Sequence, residues 1–238
     1  SAQRRRRIIA VANQKGGVGK TTTAINLATA LAAIHKKTLI IDLDPQGNAS
    51  TGLGIARRDR SLNSYQVLIG EARLEDAMIE TAIPRLRVVP AGIDLTGAEI
   101  ELVSVERREF RLKEAMARGD TDFDYILIDC PPALGLLTIN ALVAADAVLV
   151  PLQCEFFALE GLGHLVKTID RIKQAFNPGL EIQGIVLTMF DMRNNLSDMV
   201  ANDVREFFGD KVYKTVIPRN VRVSEAPSHG LPVLIYDM

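Results

Sequence analysis

Cysteine is scarce in this 238-residue sequence, which has only Cys130 and Cys154. The two are not spaced like paired metal ligands, and they suit a reducing cytosol in which buried thiols are the usual state. Excess charge of either sign is also lacking. Lys and Arg number 28 against 29 Asp and Glu, a formal net charge of −1. No bulk field therefore draws the chain to nucleic acid, and any such contact must come from a local patch. No apolar run approaches the roughly 18 residues that a membrane span needs. The basic run Arg4 to Arg7 leads into an apolar stretch of only about five residues, which is not the pattern of a secretory leader. What remains is globular composition, 47% hydrophobic and 24% charged, with ample material for a core.

The most informative stretch is Gln14-Lys15-Gly16-Gly17-Val18-Gly19-Lys20-Thr21-Thr22. The apolar run Ile8 to Ala12 before it reads as a short buried strand, and Thr23 to Ala32 after it reads as a helix. A glycine-rich turn alone could merely cap a helix. Gly-Lys-Thr between a strand and a helix is instead the context of a phosphate-binding loop. Glycines let the backbone curl so that successive N–H groups point at phosphate oxygens, and the helix N-terminus adds its partial positive charge. Lys20 is then expected at the β- and γ-phosphates and the Thr21 hydroxyl on Mg²⁺, with Gly16, Gly17, Val18, Gly19 and Thr22 completing the cradle. The usual first glycine of such loops is replaced by Gln14, so that two lysines, Lys15 and Lys20, flank the turn.

Two further apolar runs end in carboxylates. Lys37 to Asp42 reads as a strand leading into Asp42-Leu43-Asp44-Pro45-Gln46-Gly47-Asn48, and Phe123 to Asp129 as another leading into Cys130-Pro131-Pro132-Ala133-Leu134-Gly135. The C-terminal edge of such strands is where an open α/β sheet binds ligands. Asp129 is expected to hold Mg²⁺, directly or through water. Further strands are expected at Leu86–Pro90, Ala147–Pro151, Gly184–Asp191 and Val212–Pro218. Helices are expected at Leu159–Phe176, Val200–Phe208 and, as one long amphipathic element with its charges outward, Leu95–Ala117. The alternation predicts an α/β fold: a doubly wound, mainly parallel sheet with helices on both faces. Residues 1–7 read as a basic arm and 8–238 as a single phosphate-loop domain.

The loop Lys15 to Thr22 resembles the deviant Walker A motif of the ParA/MinD superfamily of P-loop NTPases. Asp-x-Asp-Pro-Gln-Gly-Asn at residues 42–48 and Pro-Arg-Asn-Val-Arg at 218–222 resemble its ParA/Soj chromosome-partitioning branch. The resemblance implies that Lys15 reaches across a homodimer interface to the partner's nucleotide, and that Asp44 positions the attacking water and touches the metal shell. It implies adenine neighbours at Met189, Pro218 and Arg219, and non-specific DNA contacts from Arg193, Arg219 and Arg222. A slow, Mg²⁺-dependent ATPase in the cytoplasm follows, nucleoid-associated, stimulated by a ParB-type protein and needing no membrane. The resemblance also implies a further C-terminal helix, expected beyond Met238. From residue 190 onward six basic residues face seven acidic ones, so phosphate binding needs the cations gathered on one face and doubled by a dimer.

Three alternatives differ at named features. A MinD-type membrane-cycling ATPase typically carries glycine where Gln14 stands. An iron–sulfur reductase component needs cluster cysteines in a pattern that Cys130 and Cys154 do not match. A nucleotide-gated scaffold would show no hydrolysis at all. Phe156 and Phe157 are read as core or dimer-interface residues, and His164 as structural.

Overall fold

Strands that are apolar on both faces must be covered on both faces, and five buried residues in a row, Thr38 to Asp42, force that arrangement here. The computed structural model describes residues 6–17, 19–119, 122–191 and 193–218. In chain order the elements begin with β1 (Arg7–Val11), α1 (Lys20–Ala33), β2 (Thr38–Asp42), α2 (Asn48–Gly52) and α3 (Ser64–Ile69). They continue with β3 (Ile79–Glu80), β4 (Leu86–Val89), α4 (Leu95–Glu101), α5 (Arg111–Arg118), β5 (Tyr125–Asp129) and α6 (Leu136–Ala144). The last are β6 (Ala147–Gln153), α7 (Ala158–Ala175), β7 (Glu181–Phe190), α8 (Asn195–Phe208) and β8 (Val212–Pro218).

One eight-stranded sheet results, in the order β3-β4-β2-β5-β1-β6-β7-β8. Its pairings are parallel except at the edge, where Ile79 lies antiparallel opposite Val88. The doubly wound, mainly parallel fold read from the sequence is therefore the fold observed. Alternate residues feed two cores. Ile9 and Val11 of β1 join Ile40, Leu127 and the buried face of α1, while Ala10, Leu39, Ile41 and Ile128 join the helices of the other side. Strand β1 lies between β5 and β6, so the chain leaves it in one direction first and returns later to fill the other side. That reversal of strand order opens a crevice at the C-terminal ends of β1, β2 and β5. Among the described residues no helix is long and apolar enough to cross a membrane.

Three expectations need correction. The single helix over Leu95–Ala117 is two, α4 and α5. Val105 is extended and Arg107 adopts a left-handed backbone at φ 55°. The break is stabilised from outside: Asn140 of α6 donates to Arg108 O at 2.9 Å and accepts from Leu112 N at 3.2 Å. Helical patterning cannot register such a partner, and tertiary contacts override propensity there. Not all of that segment's charges face outward either, because Glu99 is half-buried and accepts from Leu137 N at 3.2 Å in the first turn of α6. Arg7, read as the end of the basic arm, opens β1 and pairs with the side chains of Gln183 and Glu181, while Arg6 donates to Met116 O.

The β6/β7 register shifts between Val148 and Leu149, which skips Gln183, and Gly184 follows. A Cβ at Gly184 would stand 2.3 Å from the Tyr213 ring. Gly184→Ala is expected to destabilise the fold by about 1–3 kcal/mol through overpacking. Urea unfolding should show a lower midpoint at unchanged slope.

Candidate functional site

The turn between β1 and α1 is fixed by its neighbours on both sides. Asn13 donates to Pro151 O at 2.8 Å and accepts from Lys15 N at 3.2 Å, tying the loop to β6. Gln14 donates to Gly161 O of α7 at 3.2 Å. Gly17 and Gly19 have φ of 71° and 82°, a region that side chains with a Cβ rarely adopt. Pro132 lies against Gly16, and Thr188 at the end of β7 lies against Gly19, so the loop is walled by both.

Helix α1 then begins with no side-chain cap and no acidic residue in its first turn. Its N-terminal N–H groups are free to meet an anion from outside the helix. Lys20, the first helical residue, is buried and donates from Nζ to Lys15 O at 2.8 Å. Burial holds its pKa below the ordinary lysine value, countered by the charges of Asp129 and Asp44. The cation stays within the loop, with two of its three donors left for a ligand.

Opposite stand the carboxylates at the ends of β2 and β5. Thr21 Oγ1 donates to Asp129 Oδ2 at 2.8 Å, whereas Asp129 Oδ1 is buried with no hydrogen-bond partner. Burial, with the nearby charge of Asp42, pushes Asp129 up to about 8. Asp42 is pushed up to about 6 by burial, against hydrogen bonds from Ser50 N, Ser50 Oγ and Asp44 N at 3.0, 2.7 and 3.1 Å. Asp42 thus organises the loop rather than facing a ligand. Asp44 accepts from Gln46 N at 3.0 Å through Oδ1, and its carbonyl accepts from Gly47 N at 2.8 Å.

The donor set fits Mg²⁺ with phosphate. Thr21 and the unpartnered Asp129 oxygen are hard oxygen ligands that lie together, and Mg²⁺ ordinarily completes its shell with water and substrate phosphates. Among the described residues no cluster of three or more His, Cys, Asp or Glu side chains could hold a metal by itself.

The remaining candidates are spread around this centre. Lys15 forms an ion pair with Glu155 of its own chain. Glu155 borders a shallow groove with Gln14, Lys15, Phe157 and His164. Phe156 and Phe157 are 79% and 75% exposed, so the core reading fails and an interface remains for them. His164, expected to be structural, is exposed. Met189 follows Thr188 with a left-handed φ of 50°, and Pro218 pairs with Phe190, which brings both strand ends to the Gly19 side of the loop. Arg193 is 93% exposed in a turn held by its N–H to Asp191 Oδ1. Val18, Arg219 and Arg222 lie outside the described residues. Cys130 and Cys154 are buried thiols, raised by desolvation, Cys154 to about 11, and so held protonated. Sequence reasoning missed Asn13, Ser50 and Glu155. Asn13 alone carried a signal, as a polar residue directly after an apolar strand.

A family profile described as an AAA domain matches residues 6–182. The chromosome partitioning protein ParA of Caulobacter vibrioides is 62% identical over 234 residues, covering 98% of this chain and 88% of that protein. The sporulation initiation inhibitor protein Soj of Bacillus subtilis is 54% identical over 231 residues, covering 97% and 91%. Among solved structures, a cobyrinic acid a,c-diamide synthase from Mycobacterium smegmatis with bound ADP and magnesium superposes with a TM-score of 0.89. It is 39% identical, and the match covers 97% of this chain and 93% of that one. A parallel sheet with this loop at its strand reversal defines a P-loop NTPase. Within that class, the chain belongs to the ParA/Soj family of chromosome-partitioning ATPases.

The raised carboxylates have a consequence for the ligand-free chain. Folded Asp129 keeps its proton where the unfolded chain has released it, so its contribution is full below about pH 4 and is lost as pH rises towards 8. Asp129→Asn should flatten that fall, measured as the change in denaturation midpoint between pH 5 and pH 8 in EDTA. The wild type should lose more stability over this interval than the variant.

Proposed function

We propose that this chain is a nucleotide-gated DNA clamp: it binds ATP with Mg²⁺, dimerises in that state, holds DNA without sequence preference, and lets go after hydrolysis. The observation that carries the reading is the pairing of an uncapped α1 N-terminus and the buried Lys20 with a half-satisfied Asp129 across the crevice. That combination favours a polyphosphate accompanied by a divalent cation.

The roles follow from chemistry. Backbone N–H groups of Gly16 to Thr22 and the Lys20 ammonium stabilise charge on the β- and γ-phosphates. Thr21 and Asp129 would hold Mg²⁺, with Asp44 bordering its shell; when bound, the cation neutralises charge developing on the phosphates. Asp44 orients the attacking water. Lys15, once released from Glu155, reaches the nucleotide of a second subunit, which makes nucleotide binding and dimerisation one event. Phe157, which shares the groove of Lys15, and the adjacent exposed Phe156 suit the buried centre of that interface. Met189, Pro218 and Arg219 border the adenine.

Arg193, Arg219 and Arg222 supply the DNA contacts. With two or three cations per subunit a monomer binds weakly, whereas a dimer doubles the contacts on one backbone. Turnover is slow until a ParB-type partner stimulates it, and the working location is the nucleoid in the cytoplasm. The likeness to ParA and Soj supports this assignment over the MinD-type alternative.

The test is DNA binding without nucleotide, with ADP, and with a slowly hydrolysed ATP analogue across a salt series. Binding confined to the analogue, with a log–log salt slope of roughly −4 to −5, is the expected outcome. Arg193→Ala should reduce that slope by about two, one phosphate per subunit. Equal binding in all nucleotide states would refute the gating. Asp44→Ala should keep ATP and DNA binding while turnover falls by about 10²-fold or more; normal turnover would remove Asp44 from the mechanism.

A further inference from the structure

Arg60 is only 7% exposed, although it lies between the exposed Arg57 and Arg58 and the turn that precedes α3. A buried guanidinium is costly unless its donors are used. Here Nε and Nη2 both donate to Ile55 O, at 3.1 and 2.5 Å, and Nη2 also donates to Thr51 Oγ1 at 3.0 Å. These hydrogen bonds go to a hydroxyl in the last turn of α2 and a carbonyl just past it, both uncharged acceptors.

The other nitrogen, Nη1, faces Gly47. A Cβ placed on Gly47 would stand 2.7 Å from it, and Gly47 holds a left-handed φ of 66°. Gly47 is the residue that closes the turn after Asp44, through its N–H to Asp44 O at 2.8 Å, and it is also the N-cap of α2. The guanidinium therefore grips the far end of α2 with one edge and backs the near end with the other. Asp44 opens the short turn that Gly47 closes.

We infer that Arg60 is a positioning residue for Asp44: its guanidinium forms a fixed floor behind Gly47 that sets where the Asp44–Gly47 turn rests. The partners of Arg60 are Ile55, Thr51 and Gly47, so its proposed action on Asp44 is indirect. It acts by removing freedom from a turn whose carboxylate must meet a water within a few tenths of an ångström. The inference rests on the reading of Asp44 as the group that orients that water. A lysine cannot reproduce it fully, because its single nitrogen cannot span Ile55 O, Thr51 Oγ1 and Gly47 together.

The experiment compares the full chain with Arg60→Met and Arg60→Lys. Two readouts are needed, steady-state ATP hydrolysis and amide hydrogen exchange over residues 46–51. Arg60→Met should lower kcat tenfold or more while KM for ATP changes less than threefold, with Arg60→Lys in between. Exchange at Gln46, Gly47 and Thr51 should quicken in the same order, while β1 and β5 amides stay as in the wild type. A merely structural role would move KM, the melting temperature and exchange throughout the sheet together, and that result overturns the inference. Unchanged exchange over 46–51 overturns it whatever the turnover. A wild type that hydrolyses no ATP, with exchange still faster in the variants, would remove the catalytic reading and leave the anchoring of the turn intact.

Discussion

The site rests on one electrostatic constraint: a buried ammonium and a bare helix end are held across a crevice from carboxylates that burial keeps from ionising freely. Lys20 is held within the loop by Lys15 O, and Asp129 has one oxygen on Thr21 and one on nothing. Neither group is satisfied by the other. An unpaired buried polar atom costs about 1–3 kcal/mol, and a protein tolerates that where a ligand will supply the partner. The sheet makes this possible, because parallel strands β2, β5 and β1 deliver Asp42, Asp129 and the loop to the same edge.

From that edge the structure runs outward through hydrogen bonds. Asp42 gathers Ser50 and Asp44. Ser50 Oγ accepts from Ala91 N at 3.0 Å, and Ser64 Oγ donates to Asp42 O at 2.8 Å. On the other side Glu99 of α4 meets the start of α6, just past the Pro131–Pro132 turn that walls the phosphate loop. The middle of the chain thus braces both turns that flank the crevice. Lys15 is paired with Glu155 in its own chain, and the proposed dimer would trade that partner for a phosphate. An exposed ion pair contributes little, so exchanging it for a phosphate costs little.

The sequence made the centre legible and the bracing not. Gly16, Gly19, Lys20 and Thr21, set between an apolar run and a helix, read as a phosphate loop, and Asp42 and Asp129 end apolar runs that read as the strands they form. Local patterns of that kind survive folding. The break at Val105–Arg107 depends on Asn140, more than thirty residues away. Glu99 belongs to a segment whose charges were expected to face water, and Arg60 follows the exposed Arg57, Arg58 and Asp59 directly in sequence. Their burial follows from where α2, α4 and α6 meet, and no period in the sequence encodes that meeting. The aromatic pair Phe156–Phe157 was open between core and interface on pattern alone, and its exposure removes the core reading.

The claim on which the functional account depends is that nucleotide completes this site through a second subunit. Light-scattering mass of the purified chain, with and without saturating Mg²⁺ and a slowly hydrolysed ATP analogue, tests it directly. The account predicts a 26.0 kDa species that doubles in mass only when both nucleotide and Mg²⁺ are present. A mass that stays at 26.0 kDa under saturating nucleotide, or a dimer that forms equally well without it, would contradict it.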